Sequence, residues 1–424
     1  MGTTNHIATE IRRLYPQLPG AMCGRPYDTV IALPHTLVAG FMIELPEETG
    51  LTIEPLETEN GVDCSYRVSG IPSEAGEYNV KLHFLPACGD DENIVRMELP
   101  FRISPNPRLM WRNLKVADDI EYPKPDTATA IICPPDGGMN VAAASKRGRS
   151  HAHEGSPRDD DFSISLDENS GWYVIAVADG AGSAPFSRQG SRIACGTAER
   201  FCREKLDSGS LDSAVEAYIK DNENTEVRNR VFKALYDTLC GAAFASHKAI
   251  RTEAENHGSP MKDYATTLLL AICRKFEAGW FVAGFWVGDG AICVYDPKNK
   301  AATLLGTPDE GEYAGQTRFV TMPDIFTDPT SLGRRVRYGL YPSMKALIAM
   351  TDGVSDPMFE TDANLNSFVR WEEFWDKLRD GFPADGIAGA GLRRGNPSAA
   401  ESLLGWLDFW SPGNHDDRTI AVVY

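Results

Sequence analysis

Six Asp-Gly pairs punctuate this chain, at Asp136, Asp179, Asp289, Asp352, Asp380 and Asp385. Alone, Asp-Gly marks a turn, because both residues suit turn conformations. Three of the six directly end an uncharged, strand-like run: residues 174–178 before Asp179, 285–288 before Asp289 and 347–351 before Asp352. Asp416-Asp417 precedes another such run at 419–424, and Asp159-Asp160-Asp161 precedes Phe162-Ser163-Ile164. A buried strand presents its last residue at the rim of its sheet, so several such ends can converge on one cleft. Carboxylates gathered there raise each other's pKa unless a cation neutralises them. An all-oxygen donor set suits Mg²⁺ or Mn²⁺, hard ions whose octahedral shells are completed by water. The competing expectation is five unrelated turn acids on a solvated face.

The elements that must hold these acids change character along the chain. Between about 25 and 105, Val62, Cys64, Tyr66 and Val68 alternate with polar neighbours. Tyr78, Val80, Leu82 and Phe84 do the same, as do Met97, Leu99, Phe101 and Ile103. This period of two marks strands with one buried face, and short strands at this spacing predict a small all-β sandwich. Residues 106–136 are Pro-rich and read as an interdomain linker, pinned by Trp111 and Leu114. From 137 to 424, strand-like runs alternate with helical stripes such as Phe232, Leu235, Leu239, Ala242 and Ala243, or Phe368, Trp371, Phe374, Trp375 and Leu378. Both stripes are expected to face the core, in a mixed α+β domain.

Composition narrows the function classes. Sixty acidic residues against 42 basic ones give a formal net charge of −18, and the densest basic cluster is the short Lys146-Arg147-Gly148-Arg149. Nucleic-acid and anionic-membrane partners are therefore not expected. No apolar stretch reaches the roughly 18 residues that span a bilayer, and the first 17 residues lack the apolar core of a signal peptide. Nine scattered cysteines without a Cys-x-x-Cys pair argue against a disulfide framework, so a reducing cytoplasm is the expected location.

Two resemblances follow. The stretch Ser69-Gly70-Ile71-Pro72-Ser73-Glu74-Ala75-Gly76-Glu77-Tyr78 resembles the entry to a late strand in bacterial immunoglobulin-like domains. The stretch Val177-Ala178-Asp179-Gly180-Ala181-Gly182-Ser183 resembles the signature of the metal-dependent serine/threonine protein phosphatases of type 2C. Further landmarks of that family come in order: Ala265-Thr266-Thr267, Gly288-Asp289-Gly290, Thr351-Asp352-Gly353-Val354-Ser355-Asp356 and Asp416-Asp417-Arg418-Thr419. Gly148-Arg149-Ser150-His151, residues 155–162, and Gly311-Glu312-Tyr313 with Thr317 and Phe319 are similar to a bacterial branch of it.

The second resemblance implies a catalytic domain over 137–424, built as two packed antiparallel sheets flanked by helices with a metal cleft at one edge. It implies two Mn²⁺ or Mg²⁺ ions and a third, weaker one. Asp179 would bridge the pair, the Gly180 carbonyl would join one ion, and Asp352 and Asp416 the other. Asp159 stands where the family has Glu or Gln and is expected as an outer ligand. Asp289 and Asp356, with Asp352, would hold the third ion. Asp160 would protonate the leaving group, while Thr266 and Thr267 would support the strand.

The sequence departs from the family in two places. Gly155 occupies the position of the usual phosphate-binding Arg, leaving Arg149 and His151 as candidates. His151 stays open between phosphate binding and holding a carboxylate. Asp417 replaces an Asn, and its charge is expected to meet Arg418 or solvent.

The implied activity is hydrolysis of protein phosphoserine and phosphothreonine. The expected partners are a phosphorylated protein and a cognate protein kinase, with the sandwich as a recruiting module or a stabilising one. A phosphoprotein-binding pseudophosphatase and a phosphatase of small phosphate esters remain the alternatives.

Overall fold

A computed structural model describes residues 9–11, 13, 18–34, 36–56, 63–87, 94–135, 137–308 and 317–424. Val62, Asp136 and Gly311-Glu312-Tyr313, used above, lie outside the described residues, as does the side chain of Cys64. The chain divides into two compact units, 1–111 and 112–424. No helix among the described residues is long and apolar enough to cross a membrane.

Among the described residues, the first unit is predominantly β, with helical residues at 9–11 and 13 and seven strands: β1 (Ala21–Met22), β2 (Tyr27–Pro34), β3 (Val38–Glu44), β4 (Leu51–Leu56), β5 (Asp63–Gly70), β6 (Gly76–Pro86) and β7 (Val95–Ser104). They form two sheets, β1-β7-β6-β3 and β2-β5-β4. Alternation along β6 buries Val80, Leu82 and Phe84 against Ile31, Leu33 and Val68 of the other sheet. Phe41 meets Tyr66 edge-on across that core, with ring centroids 5.0 Å apart. Strands β2, β5 and β4 facing β3, β6 and β7 are consistent with the expected immunoglobulin-like arrangement.

The second unit is α+β. Its strands are β8 (Thr127–Ile132), β9 (Val141–Lys146), β10 (Asp161–Leu166), β11 (Tyr173–Ala178), β12 (Leu268–Phe276), β13 (Gly279–Val287), β14 (Ala291–Asp296), β15 (Ala301–Leu304), β16 (Val336–Tyr341), β17 (Ala346–Met350) and β18 (Arg418–Val423). One sheet runs β10-β11-β12-β13-β16 and the other β15-β14-β17-β18-β9-β8, all antiparallel. The central strands read as unbroken apolar runs because both faces are covered. Along β11, Tyr173, Ile175 and Val177 face the opposite sheet, while Val174, Ala176 and Ala178 face helices.

Those helices are α2 (Ser187–Asp207), α3 (Ser210–Lys220), α4 (Thr225–Leu235) and α5 (Gly241–His257), following a short α1 (Arg149–Glu154). Ala194, Cys195, Ala198, Cys202 and Leu206 form the buried stripe of α2, small enough to bring the helix close to the sheet. The six-stranded sheet is covered by α6 (Asp352–Phe359), α7 (Phe368–Asp380) and α8 (Ala399–Trp406). Here Trp371 and Trp406 are fully buried, each donating its indole N–H to a backbone carbonyl, of Leu365 and Lys377 respectively.

Three expectations are corrected. Phe232 is 38% exposed, although Leu235, Leu239, Ala242 and Ala243 of its stripe are buried. Leu114 pins the Pro-rich stretch through its backbone rather than its exposed side chain: its N–H donates to the Ala152 carbonyl at 2.8 Å and its carbonyl accepts from Arg147 at 2.9 Å. That stretch contains strand β8, and its Lys124 is buried with Nζ 2.9 Å from Asp161 Oδ2. Lys124 also donates to the Arg188 carbonyl and to Ser191 Oγ, each at 3.1 Å.

Candidate metal centre

The acids singled out in the sequence arrive at one end of the two sheets. Asp179 follows β11, Asp289 sits in the β13–β14 turn, Asp352 opens α6 after β17, and Asp416 precedes β18. Asp179, Asp289 and Asp352 each contribute a carboxylate oxygen to a group whose members lie within 4.8 Å of one another. Asp352 lies in the first turn of α6, where the helix dipole favours negative charge.

Hydrogen bonds fix the backbone around Asp179. Its N–H donates to Thr267 Oγ1 at 2.8 Å, and its carbonyl accepts from the Thr266 hydroxyl and the Thr267 N–H, each at 2.8 Å. Gly180 is required by close approach: a Cβ there would stand 2.8 Å from the Asp159 carbonyl oxygen. Gly353 is similarly constrained, 1.9 Å from the Asp417 carbonyl oxygen.

Asp159 and Asp160 come from the segment before β10 and are both buried. Thr351 Oγ1 donates to Asp160 Oδ2 at 2.8 Å and accepts from the Thr419 N–H at 3.1 Å, linking the ends of β17 and β18 to that segment. Arg158, 1% exposed, donates to the Asp160 carbonyl at 2.7 Å and to Ser145 Oγ. Thr351, Arg158 and Lys124 were not singled out from the sequence as site residues. A buried cation in a hydrophilic or Pro-rich run reads like any surface cation, whereas Thr351 was visible only as part of its motif.

The carboxylates resist ionising together. Burial, then the charges of Asp352, Asp160, Asp416 and Asp289, hold Asp179 well above the usual range. Burial and Asp289 do the same to Asp352. Burial and Asp417 push Asp160 to about 7 and Asp159 to about 6. Asp416, although exposed, is raised by partial desolvation and by neighbouring Asp417. Asp356, one turn beyond Asp352 and exposed, is pushed to about 6 by partial desolvation and by Asp289.

Three buried oxygens here, Asp159 Oδ1, Asp160 Oδ1 and Asp289 Oδ1, have no hydrogen-bond partner. Mutual repulsion together with orphaned acceptor oxygens is what a divalent cation relieves, and the all-oxygen donor set fits Mg²⁺ or Mn²⁺.

His151 and Arg149 turn to different partners. His151 Nδ1 lies 3.0 Å from Asp417 Oδ1, and Nε2 lies 3.7 Å from Asp159 Oδ2. Burial alone would lower the histidine's pKa, but the Asp417 hydrogen bond and charge outweigh it and raise it to about 9. Asp417 is buried rather than solvated, and its partner is His151 rather than Arg418. It also accepts from the N–H groups of Gly148, Asp159 and Asp160, at 2.6, 2.5 and 3.3 Å. Arg418 turns away, to the Leu407 carbonyl, Ser411 Oγ and the Phe409 ring. Arg149 donates to the Asp408 carbonyl at 2.8 Å and lies 5.3 Å from the Trp410 ring centroid.

The sequence matches the family model described as protein phosphatase 2C over residues 147–407. No curated protein matches the chain. Similar solved structures include the serine/threonine phosphatase PstP/Ppp of Mycobacterium tuberculosis, at 15% identity, 67% of this chain, 97% of that chain and a TM-score of 0.34. Serine-threonine phosphatase 2C from Toxoplasma gondii is 16% identical over 71% of this chain and 99% of that one, with a TM-score of 0.42. PppA of Pseudomonas aeruginosa is 15% identical over 70% and 96%, with a TM-score of 0.35. At such identities and TM-scores, membership rests on the sequence match.

Proposed function

The chain belongs to the protein phosphatase 2C family, and we propose that it is an active, Mn²⁺- or Mg²⁺-dependent hydrolase of phosphoserine and phosphothreonine in proteins. The observation that carries this reading is the convergence of Asp179, Asp289 and Asp352 beside buried, partnerless oxygens of Asp159, Asp160 and Asp289. A binding-only relative would have no reason to keep so costly a cluster. None of Asp179, Asp352 and Asp416 is missing, which weighs against the pseudophosphatase alternative.

Asp179, the Gly180 carbonyl, Asp352, Asp416 and Asp159 would hold two divalent ions, and Asp289 and Asp356, with Asp352, would hold a third. Bound there, the ions would supply Lewis acidity and lower the pKa of water. Asp160 contributes the proton. Its Oδ2 is held by the Thr351 hydroxyl, which fixes the carboxyl's orientation in the cleft, and in the metal-free cleft burial and Asp417 raise its pKa to about 7. Burial raises the thiols of Cys195, Cys202, Cys240, Cys273 and Cys293, so none of these five offers a rival nucleophile. His151 serves as the clamp that neutralises Asp417.

The test compares phosphopeptides, free phosphoserine and nucleotides with added Mn²⁺ or Mg²⁺ and with chelator. Metal-dependent release of phosphate from the phosphopeptides at the highest kcat/KM is expected. Activity that survives exhaustive metal removal would sink the mechanism. A preference for free phosphoserine or nucleotides would replace the substrate class.

A further inference from the structure

Asp159 and Asp160 enter the acid cluster side by side, and the backbone N–H and carbonyl of each are held by side chains. Both N–H groups donate to Asp417 Oδ2. The Asp160 carbonyl accepts from Arg158 at 2.7 Å. The Asp159 carbonyl accepts from two buried side chains, the Lys124 ammonium at 3.3 Å and the Ser191 hydroxyl. The same carbonyl oxygen is the atom that a Cβ on Gly180 would strike, so its place also bears on how closely Asp159 and the Asp179–Gly180 turn approach. What this clamp leaves over is Asp159 Oδ1 and Asp160 Oδ1, buried without a hydrogen-bond partner.

The two donors come from distant parts of the chain. Ser191 lies on α2, whereas Lys124 lies on the Pro-rich stretch just before β8, outside the span 147–407 matched by the family model. Lys124 is spread over Asp161, the Arg188 carbonyl, Ser191 Oγ and the Asp159 carbonyl. Ser191 accepts from Lys124 and passes its own proton to the Asp159 carbonyl. An apolar side chain could tie down this stretch without the desolvation cost of a buried ammonium. What the ammonium adds is a donor aimed at the backbone of a candidate metal ligand. Groups one step behind the ligands orient them, and losing one weakens metal affinity by about ten- to a hundredfold.

We propose that Lys124 and Ser191 are positioning residues for the metal centre: by holding the Asp159 carbonyl they set the direction in which the Asp159 and Asp160 carboxylates face. The inference rests on the acid cluster being a divalent-cation centre.

The full chain is titrated with Mn²⁺ by calorimetry, well below its melting temperature. Ser191→Ala removes one donor to the Asp159 carbonyl. Lys124→Met/Asp161→Asn removes the other and leaves neither charge of that pair buried alone. Each is expected to raise the Kd for Mn²⁺ by roughly tenfold. Trp406→Phe, which loses the indole hydrogen bond to the Lys377 carbonyl, should melt lower and bind Mn²⁺ as the parent does. Parent-like affinity in Ser191→Ala overturns the inference, whether or not the double variant folds. So does parent-like affinity in a folded double variant, or a rise in Kd for Trp406→Phe as large as theirs. A parent that binds no Mn²⁺ overturns the metal-centre reading and this inference with it. A parent that binds Mn²⁺, beside variants that bind it equally well, overturns this inference alone.

Discussion

His151 Nδ1 lies 3.0 Å from Asp417 Oδ1, with both side chains out of solvent beside the acid cluster. Asp417 occupies a position where a neutral side chain would need no counter-charge, and His151 supplies one from the other end of the unit's sequence. The pair anchors Gly148 at the start of α1 and the Asp159–Asp160 backbone through a single carboxylate. A fully hydrogen-bonded buried pair is costly to break from one side only.

This pair makes stability depend on pH in a definite direction. A histidine raised from its ordinary 6.5 to about 9 on folding contributes stability that is complete below pH 6.5 and lost as pH climbs through about 9. The shift corresponds to about 3 kcal/mol. Asp417 is lowered on folding, the His151 hydrogen bond and charge overcoming its burial. Its share is present throughout that window and is lost only in acid. Melting curves in chelator should therefore show the parent well above His151→Gln at pH 6.5, with the gap closing towards pH 9. A gap that stays constant would mean that the imidazole is not charged.

Asp179→Asn should separate stability from function. With Asp179 and Asp352 both raised by burial and by neighbouring acids, ionisation above pH 4 works against the metal-free fold. Replacing one carboxylate by an amide removes part of that repulsion. In chelator the variant should melt higher than the parent, increasingly so as pH rises from 4 to 8. Added Mn²⁺ should raise the parent's melting temperature strongly and the variant's little, and phosphatase turnover should vanish. A variant that melts lower in chelator would mean that Asp179 supports the fold by hydrogen bonding.

Asp356 tests the weaker third ion. It is exposed, one turn beyond Asp352, and outside the group formed by Asp179, Asp289 and Asp352. Asp356→Ala should raise the metal concentration for half-maximal activity and leave the tightly bound metal nearly unchanged in a titration. Equal loss of all bound metal would assign Asp356 to the principal pair.

What could be read from the sequence divides by physical cause. Asp179, Asp289 and Asp352 stood out because each ends a run too apolar to lie anywhere but inside a sheet, and strand direction then dictates where the charge emerges. The alternation around Val80, Leu82 and Phe84 revealed one-sided strands for the same reason. Pairings between distant side chains left no such trace. Nothing local marks Asp417 as the partner of His151 rather than of adjacent Arg418, because the choice depends on how α1 and β18 meet. Lys124 was hidden by its setting: Pro residues on both sides suggest a solvated tether, yet its ammonium is buried on Asp161. Phe232 shows the converse error, a helical stripe whose first member runs past the edge of what the helix covers.

The last prediction concerns where the catalytic unit begins and what the first unit is for. Lys124 holds Asp161 and the Arg188 carbonyl, and Arg188 in turn donates to the carbonyls of Glu121 and Tyr122. Residues 121–124 are therefore built into the second unit, and a truncation must spare them. A chain starting at Arg112 should fold and hydrolyse a small aryl phosphate with metal. One starting at Asp126 loses Lys124 and leaves Asp161 without its cation, at a cost of about 3–5 kcal/mol. It should melt clearly lower, and Lys124→Ala in the full chain should reproduce much of that loss. With the boundary set correctly, the 112–424 chain becomes a clean test of the first unit. If that unit recruits a substrate protein or a kinase, deleting it should leave aryl phosphate turnover intact while activity on the phosphoprotein falls. If it only stabilises, the melting temperature and both activities should fall together.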